Sequence, residues 1–96
     1  MSDLEVKMKD VAHYWGHKMP MMAMEECAEL IQAISKFERA TIPNNESEEY
    51  KNLVKEIADV YISMNALISW YAPGAFYGQM KDDIMEAVEN KLNKKY

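Results

Sequence analysis

Apolar residues recur along this chain at helical spacing, and turn residues cut the pattern into four segments. Leu4, Met8, Val11 and Trp15 repeat at i, i+4, i+7 and i+11, which predicts a first helix from about Asp3 to Trp15, stopped by Gly16. Pro20, a favoured first-turn residue, opens a second helix that runs to about Ala40, with Ala23, Cys27, Leu30, Ile34 and Phe37 on one stripe. Residues 41–45 have loop composition, and Asn45 with Glu48 three positions on predicts a capping box for a third helix. That helix extends to about Tyr71, where Ala72-Pro73-Gly74 ends it. A fourth helix is expected from about Phe76 to Lys94, with Phe76, Met80, Ile84, Val88 and Leu92 as its apolar stripe.

The third segment breaks the one-sided pattern. Between positions 60 and 72 only Ser63, Asn65 and Ser69 are polar, so the helix is expected to be buried on every side. A chain of 96 residues has little with which to cover such a helix, which predicts self-association into a homodimer or homotetramer. The fold class is all-α, a four-helix bundle completed by oligomerisation, with residues 1–96 forming one domain and few β-branched residues, glycines or prolines to favour strands. Nine methionines, four of them between positions 19 and 24, suit its core and interfaces.

Composition narrows the function. Eleven Lys and Arg against sixteen Asp and Glu leave a net charge of −5, which speaks against nucleic-acid binding because phosphates need a basic face. It does not speak against a phosphate held through metal ions. The single cysteine, Cys27, cannot close an intrachain disulfide and is expected to face the apolar side and be inert. No apolar signal stretch or membrane-length run is present, so no membrane association and a cytoplasmic address are expected.

The surplus acids are not scattered. Glu25, Glu26 and Glu29 share an arc of about 100° on the second helix, beside its apolar stripe. Glu56 and Asp59 stand at i, i+3 on the third helix, where it turns from polar to apolar. Carboxylates crowded at the edge of a core repel each other and lose hydration, which a cation relieves. Oxygen-only donors suit Mg²⁺ or Mn²⁺ over zinc, and neither pair ends in the histidine that a di-iron bundle needs. The same spacing also fits solvated helix acids paired with Lys36 or Lys55. Without these five acids, the remaining acids and bases balance.

The run Glu25-Glu26-Cys27-Ala28-Glu29-Leu30-Ile31-Gln32-Ala33, followed by Glu56-Ile57-Ala58-Asp59-Val60, resembles the all-α nucleoside triphosphate pyrophosphatases, the MazG-like superfamily. The signature there is Glu-x-x-Glu, a spacer, then Glu-x-x-Asp on the next helix; Glu26, Glu29, Glu56 and Asp59 fill the four positions across a 26-residue spacer. The likeness covers most of the chain, from about Trp15 to Lys95. It implies a Mg²⁺-dependent enzyme that hydrolyses a nucleoside triphosphate to the monophosphate and pyrophosphate, within a dimeric or tetrameric helical bundle. It also implies that the four acids are the metal ligands, with Glu25 and Glu26 as candidates to orient or deprotonate the attacking water. A salt bridge is the plainer role for Glu25.

Substrate contacts follow less directly. The resemblance places basic residues of the last helix on the phosphates, and Lys91, Lys94 and Lys95 are the candidates, with Asn90 or Asn93 as amide partners. The same lysines also make a good helix C-terminus. Base recognition in the family draws on aromatics and a histidine near the first acidic helix, which points to Trp15 and His17, with His13, Trp70, Tyr71 and Tyr77 nearby in the pattern. Helical aromatics at such spacing equally serve packing. Two alternatives stand beside the pyrophosphohydrolase: an enzyme of the phosphoribosyl-ATP pyrophosphatase type, and a non-catalytic helical interaction module that keeps the same fold.

Overall fold

The computed structural model describes residues 2–40 and 46–95 and is all-helical there. The helices are α1 (Asp3–Trp15), α2 (Met19–Glu38), α3 (Glu48–Tyr71) and α4 (Phe76–Lys95), with a short 3₁₀ turn, Gly16–Lys18, between α1 and α2. No helix among the described residues is long and apolar enough to cross a membrane.

Local chemistry accounts for the helix ends. Ser2 caps α1 by accepting from the Glu5 backbone N–H, and Gly16 ends it in the left-handed region at φ +56°, which a residue with a Cβ adopts only under strain. Helix α2 begins one residue before Pro20 and stops at Glu38, two residues short of the expected end. At α3 the N-cap is Ser47, whose hydroxyl accepts from the Tyr50 N–H at 3.1 Å. Ser47 therefore does what the capping-box reading assigned to Asn45, and Asn45, with the loop expected over residues 41–45, lies outside the described residues.

Helices α2 and α3 form an antiparallel pair. Phe37 near the end of α2 meets Tyr50 near the start of α3, with ring centroids 6.4 Å apart, and Ala23 and Ala66 meet in the core at the other end. The core is small-sided: Ala12, Met19, Ala23 and Ala66 are buried together, with Val11, Trp15, Met22 and Leu67 packed around them. Alanines at the contact let helix axes approach closely. Helix α1 lies against α3, and α4 attaches mainly through its first turns.

That attachment is polar at its centre. Tyr77 is 2 % exposed, and its hydroxyl lies 3.3 Å from Glu5 Oε2 and 3.4 Å from Asn65 Oδ1. Lys81 pairs with the same Glu5 oxygen, and Lys9 Nζ sits 4.1 Å from the centroid of the Tyr77 ring. The Lys81 ammonium holds the Glu5 carboxyl below its ordinary pKa, and burial leads the effects that raise the Tyr77 phenol above its own.

The expected all-round burial of α3 does not occur within one chain. Ile57 and Tyr61 are 51 % and 64 % exposed, because α1 and α2 cover one side of α3 while α4 diverges from the other. The expected stripe of α4 is likewise uncovered at Phe76, Ile84, Val88 and Leu92, and every described side chain over residues 82–94 is exposed. The radius of gyration is 15.7 Å, where a compact chain of this length has about 12 Å.

Candidate metal centre

The α2–α3 pairing brings the two acidic motifs face to face. Oxygen atoms of Glu26, Glu29 and Glu56 lie within 4.8 Å of one another. The three differ in environment: Glu29 is exposed, Glu26 is half-buried and Glu56 is 6 % exposed. On α3, Glu56 faces the α2 partner, and Asp59, one turn on, sits at the rim. Burial is the first cause that raises the Glu26 carboxyl above its ordinary pKa, followed by the charges of Asp59, Glu29 and Glu56. Glu26 therefore feels the charges of the other three acids of the signature.

Among the described residues, one cation pairs with this site. Lys55 Nζ lies 3.3 Å from Glu56 Oε1 and 3.6 Å from Asp59 Oδ2, and the two carboxylates raise its pKa. This is the lysine pairing expected of ordinary helix acids, and it is incomplete. Glu26 Oε2 and Glu56 Oε2 are both buried and make no hydrogen bond. A buried, unpartnered carboxylate oxygen costs roughly 1–3 kcal/mol or more, so a native site that keeps two of them is suited to a ligand that supplies positive charge. Lys55 is 68 % exposed at its side chain and reaches only the outer oxygens.

The other candidates are spread over the molecule. Glu25 is exposed on α2 beside the cluster. Trp15 packs on the core around Ala66, seven residues or about 10 Å along α3 from Asp59, and makes an edge-to-face contact with Tyr14 at 5.0 Å. His17 is exposed in the 3₁₀ turn, while His13 and Trp70 line a cleft of about 540 Å³ with Lys9 and Asp10 at that same end. Lys91 and Lys94 are exposed on the unpacked half of α4, as are Asn90 and Asn93; the Lys95 side chain lies outside the described part. Tyr71 is exposed, and Tyr77 anchors α4 as described. Cys27 is a half-buried free thiol.

A cavity between the helices was not foreseeable from the pattern. It measures about 670 Å³ and is lined by all four helices, including Met8 of α1, Leu30 of α2, Val60 and Asn65 of α3, and Lys81 and Ile84 of α4. Leu30 is one turn beyond Glu26 and Val60 one turn beyond Glu56, and none of the clustered acids lines the cavity. The only sequence signal was indirect: Leu30 and Val60 each follow an acidic motif at helical spacing.

Compared with known proteins, the chain matches no family model, no curated protein and no solved structure.

Proposed function

We propose that this chain is a Mg²⁺-dependent nucleoside triphosphate pyrophosphohydrolase of the MazG-like kind, a helical bundle completed by a second copy or by a tetramer. The observation that carries the reading is the pair of buried, unpartnered oxygens on Glu26 and Glu56, within 4.8 Å of a Glu29 oxygen. The donor set fits a hard divalent cation: oxygen only, anionic, and already destabilised by mutual repulsion. Glu26, Glu29 and Glu56 would hold Mg²⁺ or Mn²⁺, with Asp59 joining once Lys55 is displaced. When bound, the metal supplies positive charge that attracts the triphosphate and offsets charge developing on the leaving pyrophosphate.

The chain's own residues then divide the work. Glu26 and Glu56, fixed by burial, set the position of the phosphates. Glu25, exposed and outside the cluster, is free to accept the proton of a water attacking the α-phosphorus. The bond from that phosphorus to the bridging oxygen breaks, giving a nucleoside monophosphate and pyrophosphate. Lys91 and Lys94 stand on the half of α4 whose described side chains are all exposed, and would reach phosphate across a second copy.

Self-association is supported by surface area. The chain exposes 7349 Å², whereas a folded monomer of 11.2 kDa typically exposes about 5,700 Å². The excess, about 1,600 Å², is the scale of one side of an obligate interface. The unpacked second half of α4 also favours the alternative of a non-catalytic helical module, because Lys91 and Lys94, expected at the phosphates, are exposed there.

The test is an assay of monophosphate and pyrophosphate from a panel of nucleoside triphosphates, phosphoribosyl-ATP among them, with Mg²⁺ or with excess chelator. Chelator-sensitive release of both products is expected. No such product from any nucleotide refutes the enzyme, and a monomeric mass by light scattering at micromolar concentration refutes the assembly.

A further inference from the structure

Lys55 stands where the acid cluster meets solvent. Its ammonium lies 3.3 Å from Glu56 Oε1 and 3.6 Å from Asp59 Oδ2, while the buried Oε2 atoms of Glu26 and Glu56 have no partner. The members of this ion pair are unequal. The Glu56 side chain is 8 % exposed and that of Lys55 is 68 % exposed. The carboxylate is therefore the fixed member, and the ammonium, on a flexible four-carbon stem, is the movable one. Ion pairs with such exposure contribute little to stability, so little opposes their opening.

A divalent cation held by Glu56 and Asp59 takes the oxygens that now hold Lys55. Cations on shared donors repel, so the ammonium has to leave them as the site fills. It stays close, because Lys55 precedes Glu56 directly in α3, and it stays on the solvent side, from which a soluble ligand approaches. The neighbouring lysines are engaged elsewhere: Lys51, one turn earlier, pairs with Glu48 at 3.5 Å, and Lys81 pairs with Glu5.

Charge decides what the released ammonium meets. A single divalent ion leaves part of the charge of Glu26, Glu29, Glu56 and Asp59 uncancelled, and a triphosphate chain brings more negative charge to the same place. Lysine serves such oxygens as a point charge, without the fixed geometry that arginine needs. We propose that Lys55 is a hand-over residue: it pairs with Glu56 and Asp59 while the site is empty, and turns its ammonium to a non-bridging oxygen of the triphosphate chain once metal holds those carboxylates. This rests on the pyrophosphohydrolase reading. One lysine then acts with opposite sign on the two ligands, competing with the metal and favouring the phosphate. It also gives the site a phosphate contact from the same helix as Glu56 and Asp59, whereas Lys91 and Lys94 belong to α4.

Calorimetry on the full chain reads the two signs separately. Lys55→Met removes the charge and keeps an unbranched stem of similar helix propensity. Mn²⁺ alone should bind this variant about twofold or more tighter than the parent, because its competitor for Glu56 and Asp59 is gone. In excess Mn²⁺ the metal holds the carboxylates whatever stands at position 55. There, tripolyphosphate and a non-hydrolysable nucleoside triphosphate analogue should both bind about tenfold or more weaker, the loss of one charge-assisted contact. Lys55→Arg should stay within about threefold of the parent in the phosphate arm. Lys51→Met removes the same charge one turn earlier on α3 and should leave both readouts within about twofold. Phosphate binding by Lys55→Met equal to the parent's, or a matching loss in Lys51→Met, overturns the hand-over and leaves Lys55 a plain counter-ion. Weaker Mn²⁺ binding by Lys55→Met overturns it as well, since the lysine then helps to build the metal site. A parent that binds Mn²⁺ but no tripolyphosphate sinks the inference and leaves the metal site standing. If the parent binds no Mn²⁺, the function proposed above fails first, and the hand-over with it.

Discussion

Replacing Glu26 by Gln should stabilise the metal-free protein, against the usual direction of changes at half-buried positions. Glu26 Oε2 is buried without a partner, and the side chain feels Asp59, Glu29 and Glu56 together. An isosteric amide keeps a polar atom in that place, so the gain comes from removing a charge, which costs more than a neutral polar group when buried without a partner. Loss of its charge also ends three repulsions, while the amide still leaves a polar group in the site. A net gain of about 1–2 kcal/mol is the resulting expectation, since Glu26 keeps partial access to water and no direct ion pair is lost. In a domain of this size that corresponds to a rise in Tm of about 5–15 °C. Adding Mg²⁺ at a hundred times its Kd should stabilise the unaltered chain by about 2.7 kcal/mol and the variant much less, so that the order of the two melting curves narrows or inverts. Calorimetric melts of both proteins, with chelator and with Mg²⁺, read this directly. A variant that melts lower than the parent in chelator, or that gains as much from Mg²⁺ as the parent, would refute the reading of these carboxylates as a cation site.

Two further outcomes follow from the same structure. With chelator, the parent's Tm should rise as the pH falls from 7 toward 4.5: the Glu26 pKa is raised on folding, so its contribution is complete below the unfolded value of 4.5 and is lost as pH rises through the folded one. Below 4.5 the trend should reverse, because Glu5 has a lowered pKa and its contribution disappears as pH falls through the folded value. A pH series of melts on the parent and on Glu26→Gln, which should lack the rise, checks both limbs. Tyr77→Phe should cost about 1–2 kcal/mol in urea unfolding, since it removes the hydroxyl between Glu5 and Asn65 while keeping the ring under Lys9; an unchanged midpoint would mean that α4 is not fastened there.

The acidic cluster shows how far each level of information reaches. Spacing alone put Glu26 and Glu29 on one face of a helix, and Glu56 and Asp59 on one face of another, because 3.6 residues per turn is a property of the backbone. It did not say that Glu56 would be buried and Glu29 exposed. That difference depends on how closely α2 approaches α3, which the alanines at positions 23, 33 and 66 decide by their small volume. Lys55 was visible as a partner for the acids, but the two oxygens it fails to reach were not.

Sequence by itself determined the all-α class, the limits of α1 and the ends of α3 and α4 to within a residue or so, since glycine, proline and helical periodicity act locally. Local signals were less reliable where two neighbours compete for one role, as at Ser47 in place of the expected Asn45 cap. Tertiary structure alone decided that Trp15 packs against the core, that Tyr77 meets Glu5 across 72 positions, and that a cavity opens between the helices. It also decided that one chain leaves α3 partly bare, because covering a helix requires neighbours on every side, and periodicity records what a helix buries without recording which chain buries it.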